Sequence, residues 1–320
     1  MTRLALTLAC TASDRTRPIL DGRVPVPGVD FTMLPGEPED IFRRALRDRA
    51  FDVSELSMGS HIVTTARGDG PYVGVPVFPS RAFRHSAVYV RTDRGIAGPA
   101  DLAGRAVALP EYQQTAALWV RGILRERYGV DTRSVAWRTG GERVPISLPD
   151  GLDVRPLGED LQSALAAGRV DALVAPRPPS AFEDRSAPVG RLWPDYRAEE
   201  IAWHRATGFF PIMHCLAVRR DVAERHPWLP VELFRAFARA RDMALAELRM
   251  VNVLRVSLPW AAAAFEEQAA VMGGDPWPYG FARNRDEVAA MVRFAVADGL
   301  ALREIEPEEL FHPSTLAERG

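Results

Sequence analysis

The 320-residue chain predicts a two-lobed α/β protein, on three observations. Short apolar runs of strand length alternate with amphipathic stretches of helix length. At Gly95 that alternation halts and restarts, as it would where a second lobe begins. Around TGFFPIMHCLAVRRD it changes again, to one strand followed by mainly helical chain. The expected division puts residues 1–92 and 208–320 in the first lobe and 93–207 in an inserted second lobe, with two strands crossing a hinge.

The elements follow in order. Leu4, Leu6 and Leu8 alternate within Arg3–Ala9, the period of a half-buried strand. A polar, Pro-rich stretch leads to a second strand, Val29–Leu34, ended by Pro35 and Gly36. PEDIFRRALRD is a helix, because Pro38, Glu39 and Asp40 suit the open amides and positive dipole end of a first turn. FDVSEL reads as a strand and MGSHIVTTARG as a helix closed by Gly68. YVGVPVF and SAVYVR are two more strands, the latter the first crossing. In the second lobe, GPADLAGRAVALP gives a helical turn and the strand Ala106–Leu109. EYQQTAALWVRGILRERYG is a long helix with Ala117, Val120, Ile123, Leu124 and Tyr128 along one face. VAWR and LDVRP are short strands, and LGEDLQSALAAGRVDALVAPRPP gives a helix, a glycine stop and a strand ending at Arg177. MHCLAVRR is the second crossing. VELFRAFARARDMALAEL, PWAAAAFEEQAAVM and RDEVAAMVRFAVADGL are helices, the first turning Leu233, Phe234 and Phe237 to a core and Arg235 and Arg239 outward.

Composition narrows the function. Apolar residues at 47% and charged residues at 26% are enough to bury a good core. A net charge of −2 gives no bulk attraction to nucleic acid or membrane. Two cysteines make no disulfide framework and suit a reducing compartment. Leu4–Ala9 is shorter than the apolar core of a signal peptide, roughly 7–15 residues. No run reaches the ~20 apolar residues of a membrane span. The expected location is the cytoplasm. All 40 basic residues are arginine, so chemistry through a lysine Schiff base or pyridoxal phosphate is excluded.

One stretch, PVFPSRAFRHSAVYVR, sets Arg81, Arg84 and His85 at the mouth of a strand. Such a cluster is either a solvated loop or a socket for a ligand with two negative charges. With two lobes joined by a hinge, the expected ligand position is the cleft between them.

PVFPSRAFRHSAVYVRTDRGI, LPEYQQTAALWVRGIL, DALVAPRPPS, TGFFPIMH and WPYGFARNR together resemble the 4,5-dihydroxyphthalate decarboxylase family. The resemblance runs from about Phe51 to Phe311 as an ordered series of long segments. It implies a type II periplasmic-binding-protein-like fold with two hinge crossings, and a cytoplasmic aromatic-acid decarboxylase. His61 is a departure, standing where the family more commonly has tyrosine, and it bears on the ring substituents accepted.

That activity sets the requirements. Loss of carbon dioxide from an aryl carboxylate needs a proton at the ipso carbon, and a hydroxyl para to the carboxylate can push electrons there as it deprotonates. No organic cofactor is then required. Arg81, Arg84 and Arg177 are the first candidates for the carboxylates, since a guanidinium fork matches a carboxylate and keeps its charge. Ser86 neighbours that cluster. EYQQTAA passes from strand to helix, where open amides and Thr115 favour an anion and Tyr112 can stack or hydrogen-bond. His85 and His214 are the proton handlers, each at the start of a crossing strand. Glu55, in SELS, can hold a phenolic hydroxyl, with His61 on the next helix. WPYGFARNR is either a lid or a packed loop, with one contact from Tyr279.

No HxH, HExxH or CxxC spacing marks a metal site and no glycine fingerprint marks a dinucleotide site. No obligatory metal is therefore expected. The expected partner is a small aromatic carboxylate, with room for a homo-oligomer. The alternative from another class is a binding protein or sensor for an aromatic or small carboxylic acid, which the same fold and arginines would serve.

Overall fold

The computed structural model describes residues 3–142 and 144–320 and divides into two compact units. Unit 1 comprises the chain up to Arg81, His214–Ala289 and Ile305–Gly320; unit 2 comprises Ala82–Met213 and Ala290–Glu304.

Unit 1 is built on a five-stranded sheet in the order β2-β1-β3-β11-β4. Its strands are β1 (Leu4–Cys10), β2 (Val29–Pro35), β3 (Val53–Ser57), β4 (Tyr72–Arg81) and, after the excursion through unit 2, β11 (Ile212–Arg219). The helices between them are α1 (Arg17–Leu20), α2 (Pro38–Asp48) and α3 (Met58–Arg67), followed after β11 by α8 (Arg220–Arg225), α9 (Leu229–Leu248) and α10 (Ala261–Met272). β1 pairs in parallel with β2 and β3, whereas β11 runs antiparallel to β3. Every residue of β3 is buried, including Ser54, Glu55 and Ser57. A central strand flanked on both edges is covered on both faces, so polar residues placed there must find partners inside. α2 begins at Pro38 with Glu39 and Asp40 in its first turn, and α3 ends on Gly68 at φ 78°. Only a residue without Cβ adopts that left-handed stop at no cost.

Unit 2 holds a six-stranded sheet in the order β10-β5-β9-β6-β7-β8. These strands are β5 (Val88–Arg91), β6 (Ala106–Leu109), β7 (Ala136–Thr139), β8 (Val154–Pro156), β9 (Ala172–Val174) and β10 (Val189–Arg191). Its helices are α4 (Thr115–Tyr128), α5 (Leu161–Ala166), α6 (Ser180–Glu183) and α7 (Tyr196–Thr207). α11 (Phe281–Ala297) starts in unit 1 and ends among unit 2 residues. Within unit 2, Asp298 just beyond α11 is held by Arg121 at 2.6 Å and Arg125 at 2.9 Å. No described helix is long and apolar enough to cross a membrane.

Three expectations change in detail. The boundaries at 92/93 and 207/208 move to 81/82 and 213/214, and residues 290–304 join unit 2, because β5 pairs with β9 and β10 instead of with unit 1 strands. SAVYVR is therefore not a crossing strand. Its first part is a 3-10 turn, His85–Ala87, held by the Ser86 N–H bonded to Glu200, and only Val88–Arg91 is a strand. WPYGFARNR is a packed connector and not a lid: the Trp277 indole donates to the Phe78 carbonyl, Gly280 N–H donates to Pro76, and Phe281 already opens α11.

Candidate active site

In unit 1 the register of two strands makes the central feature. β11 pairs with β3 so that Leu216 lies opposite Glu55 and His214 opposite Ser57. Side chains alternate faces with period two, so Glu55 and His214 share one face as diagonal neighbours. His214 Nδ1 lies 2.6 Å from Glu55 Oε1. Facing a carboxylate, that nitrogen must be the N–H donor, which leaves Nε2 for other partners. The His214 side chain is 16% exposed and that of Glu55 only 1%. The pair is therefore a partly accessible imidazole backed by an enclosed carboxylate.

Glu55 stays charged in the interior for identifiable reasons. Burial pulls its pKa up, but the hydrogen bond and charge of His214 and the Thr11 amide outweigh it and hold the carboxyl below the usual range. Thr11 N–H donates to Oε2 at 2.7 Å. Thr11 is the first residue beyond β1, in the polar turn that precedes α1, and Thr16 Oγ1 fixes that turn by donating to the Thr11 carbonyl at 2.6 Å. Phe42, from α2, meets the His214 ring edge-on with centroids 4.7 Å apart. The Arg15 guanidinium donates to the Pro79 carbonyl at 3.1 Å and lies 3.9 Å over the Trp277 ring. The dyad thus sits at the carboxyl ends of the parallel strands β1 and β3, the edge where open α/β sheets bind ligands.

Unit 2 contains a second group of predicted residues. Arg84 is half-buried, and the one hydrogen bond of its side chain among the described residues runs from Nε to the Met213 sulfur at 3.0 Å. Burial lowers its pKa to about 10, with Glu200 opposing, so it remains a cation near neutral pH. Ser86 gives its N–H to Glu200 at 3.1 Å and its carbonyl to Arg191. His85 is buried in a cage of rings, with centroid distances of 5.0 Å to Trp193, 6.0 Å to Trp203 and 6.3 Å to Tyr128. Neither ring nitrogen has a hydrogen-bond partner among the described residues. Burial, helped by Arg127, lowers its pKa to about 4, so it is neutral at pH 7.

The remaining predicted residues serve the interior or the surface. Arg81 is wholly buried in an ion pair with Glu287 at 3.1 Å, and it also donates to the Pro278 carbonyl and to Asn284. Its charge is neutralised within its own unit, so it is no open carboxylate receptor. His61 is buried with Nε2 donating to the Leu310 carbonyl at 2.8 Å, and burial lowers its pKa to about 4. It is a structural clasp between α3 and the C-terminal segment. Tyr279 is fully buried under the Arg241 guanidinium, and burial raises its phenol pKa far above the usual range. Tyr112 stacks against Arg121, whose guanidinium carbon is 3.9 Å from the ring centre, and it is buried. Thr115 is the buried first residue of α4, and Arg177 is exposed beyond β9. Cys10 and Cys215 are free and buried, and burial, with Glu55 adding, raises both thiols far above neutrality. Neither can act as a thiolate. Among the described residues, no three His, Cys, Asp or Glu side chains converge into a metal-holding group.

No family model matches the sequence. The curated 4,5-dihydroxyphthalate decarboxylase of Comamonas testosteroni is 42% identical over 325 residues, covering 99% of this chain and 98% of its own. That of Pseudomonas putida is 42% identical over 218 residues, covering 65% of this chain and 84% of its own. The chain belongs to the 4,5-dihydroxyphthalate decarboxylase family. Solved structures agree on the fold. The periplasmic aliphatic sulphonate binding protein SsuA of Escherichia coli superposes with a TM-score of 0.56 at 15% identity, covering 98% of this chain and 99% of that one. The sulfonate-binding SsuA of Methylobacillus flagellatus gives 0.60 at 15% identity, covering 99% and 93%. At that identity the likeness concerns the fold, which is periplasmic-binding-protein-like, and not the ligand.

The structure of this family member brings Glu55 and His214 together and adds two partners that sequence reading missed, Thr11 and Phe42. The polar run CTASDRTRP directly after an apolar first strand was the available signal. Loops at carboxyl strand ends supply ligand-facing groups in open α/β sheets.

Proposed function

We propose that this chain decarboxylates a hydroxylated phthalate of the 4,5-dihydroxyphthalate type, with no organic cofactor and no obligatory metal, and that His214 and Glu55 manage the proton. Membership of the decarboxylase family supports the reaction class, a carboxy-lyase acting on a small aromatic acid. The observation that carries the mechanism is the 2.6 Å contact between the partly exposed His214 and the enclosed carboxylate of Glu55.

Glu55 fixes the tautomer of His214 and compensates the positive ring, as a third group orients a catalytic base elsewhere. In the imidazolium form, Nε2–H delivers a proton to the ipso carbon while the para hydroxyl gives up its own. The ring is then a dienone. The carbon–carboxylate bond breaks, carbon dioxide leaves, and the bond's electron pair returns through the ring to oxygen, which regains its proton. One proton is consumed in total, at carbon. General acid–base help of this kind is worth roughly 10²–10⁴-fold. In unit 2, Arg84 is our candidate for carboxylate recognition, because its guanidinium has no carboxylate hydrogen-bonded to it among the described residues. We place the enzyme in the cytoplasm, a reading supported by two cysteines that are both free.

The deciding experiment incubates chelator-treated protein with a panel of hydroxybenzoates and phthalates and measures carbon dioxide. Catalytic release from a substrate with a hydroxyl para to the carboxylate is the expected result. Tight binding of an unchanged acid would overturn the lyase reading in favour of a receptor. Activity that returns only with added divalent metal would overturn its metal independence.

A further inference from the structure

One stretch of unit 1 departs from the burial seen elsewhere. Between α9 and α10 the chain reads RMVNVLRVSLPW. Within it Val251 is 76% exposed, Val253 52%, Leu254 47%, Leu258 50% and Trp260 77%. The other large hydrophobics so exposed among the described residues are Trp228, Val296 and Leu302, each distant in sequence from this run. Single exposed apolar residues are ordinary, but a contiguous run marks a contact surface. The backbone agrees. Among the described residues, no N–H from Val251 to Leu258 donates a hydrogen bond.

α10 extends the surface. Of its twelve residues only Ala261 and Phe265 are buried, and Ala263, Ala264 and Ala270 face solvent. A helix in water owes most of its stability to packing one face, and this one packs little within its own chain. Two opposite charges lie within the same stretch of chain. Arg255 and Glu266 are both exposed, and neither has an ion-pair partner among the described residues.

We propose that residues 250–270 form a self-association surface, through which two copies of the chain pair about a two-fold axis with Arg255 of each facing Glu266 of the other. An isologous contact must supply both halves of every pair from one surface, and this patch carries one unpaired cation and one unpaired anion among its apolar side chains. A membrane-docking segment would instead set its apolar residues among cations alone.

The test is the mass of the full chain in solution, by light scattering and sedimentation across a range of protein concentrations. The expected result is a reversible dimer. Arg255→Glu and Glu266→Arg each weaken it by about tenfold or more through like-charge contact, and the double exchange restores it. Val253→Asp with Leu258→Asp gives a monomer whose circular dichroism matches the parent; should that variant misfold, the charge exchange decides alone. A parent chain that stays monomeric, single variants of unchanged mass, or a double exchange that restores nothing would overturn the proposal. So would a monomer that partitions onto anionic phospholipid vesicles, which would make the patch a lipid contact.

Discussion

Two histidines, one in each unit, meet burial in opposite ways. His214 gives Nδ1–H to an ionised carboxylate and keeps its other nitrogen at a partly open edge. His85 is more deeply enclosed, ringed by Trp193, Trp203 and Tyr128, with neither nitrogen bonded among the described residues. The difference teaches that enclosure alone makes an imidazole neutral and inert, whereas enclosure with a fixed partner makes it directional. The two arginines of the same sequence cluster divide similarly. Arg81 is bonded to Glu287, Asn284 and Pro278, whereas the Arg84 side chain hydrogen-bonds only a methionine sulfur among the described residues.

Replacing His214 with Asn should break this contrast most severely. We expect the rate of carbon dioxide release to fall about 10²–10⁴-fold, with KM little changed. A fall of that size on replacing His85, but not His214, would reverse the assignment. Next in size is Arg81→Ala, which removes the ion-pair partner of the buried Glu287 and should cost about 3–5 kcal/mol of stability in urea unfolding. A variant of normal stability with a raised KM would instead make Arg81 a substrate contact.

His85→Phe sharpens the comparison through pH. The native pKa of about 4 lies below the ordinary 6.5, so the ring is neutral when folded and takes up a proton on unfolding below pH 6.5. Its stabilising share is intact above that value and is lost as pH falls toward 4, by on the order of 3 kcal/mol. Denaturation at several pH values should show the parent losing stability across that window and the Phe variant losing less. Arg84→Ala should have the smallest effect. We expect KM to rise about tenfold or more with turnover and melting temperature near those of the parent.

Much of the scaffold was legible in local pattern. The alternating leucines of β1, the acidic start of α2 and the glycine stop of α3 each follow from interactions within a few residues. Glu55 and His214 were visible as candidates because a carboxylate in an apolar strand and a histidine at a strand start are conspicuous. Their union was not visible, for 159 residues separate them. The fate of Arg81 was hidden for the same reason, its Glu287 partner lying 206 residues away. The sequence grouped Arg81, Arg84 and His85 as either a solvated loop or a socket for a dianion, without showing which of them stays open. Burial neutralises the histidine and Glu287 neutralises the first arginine, leaving one open cation.

Residue order and chemistry thus determined the elements, the family, and the absence of any lysine-based route, since these depend on side-chain identity and short-range periodicity. The tertiary structure alone decided which charges are paired and which stay open. Pairing energies in a protein interior are set by distance and access to water, and strand register establishes both only once remote segments have met.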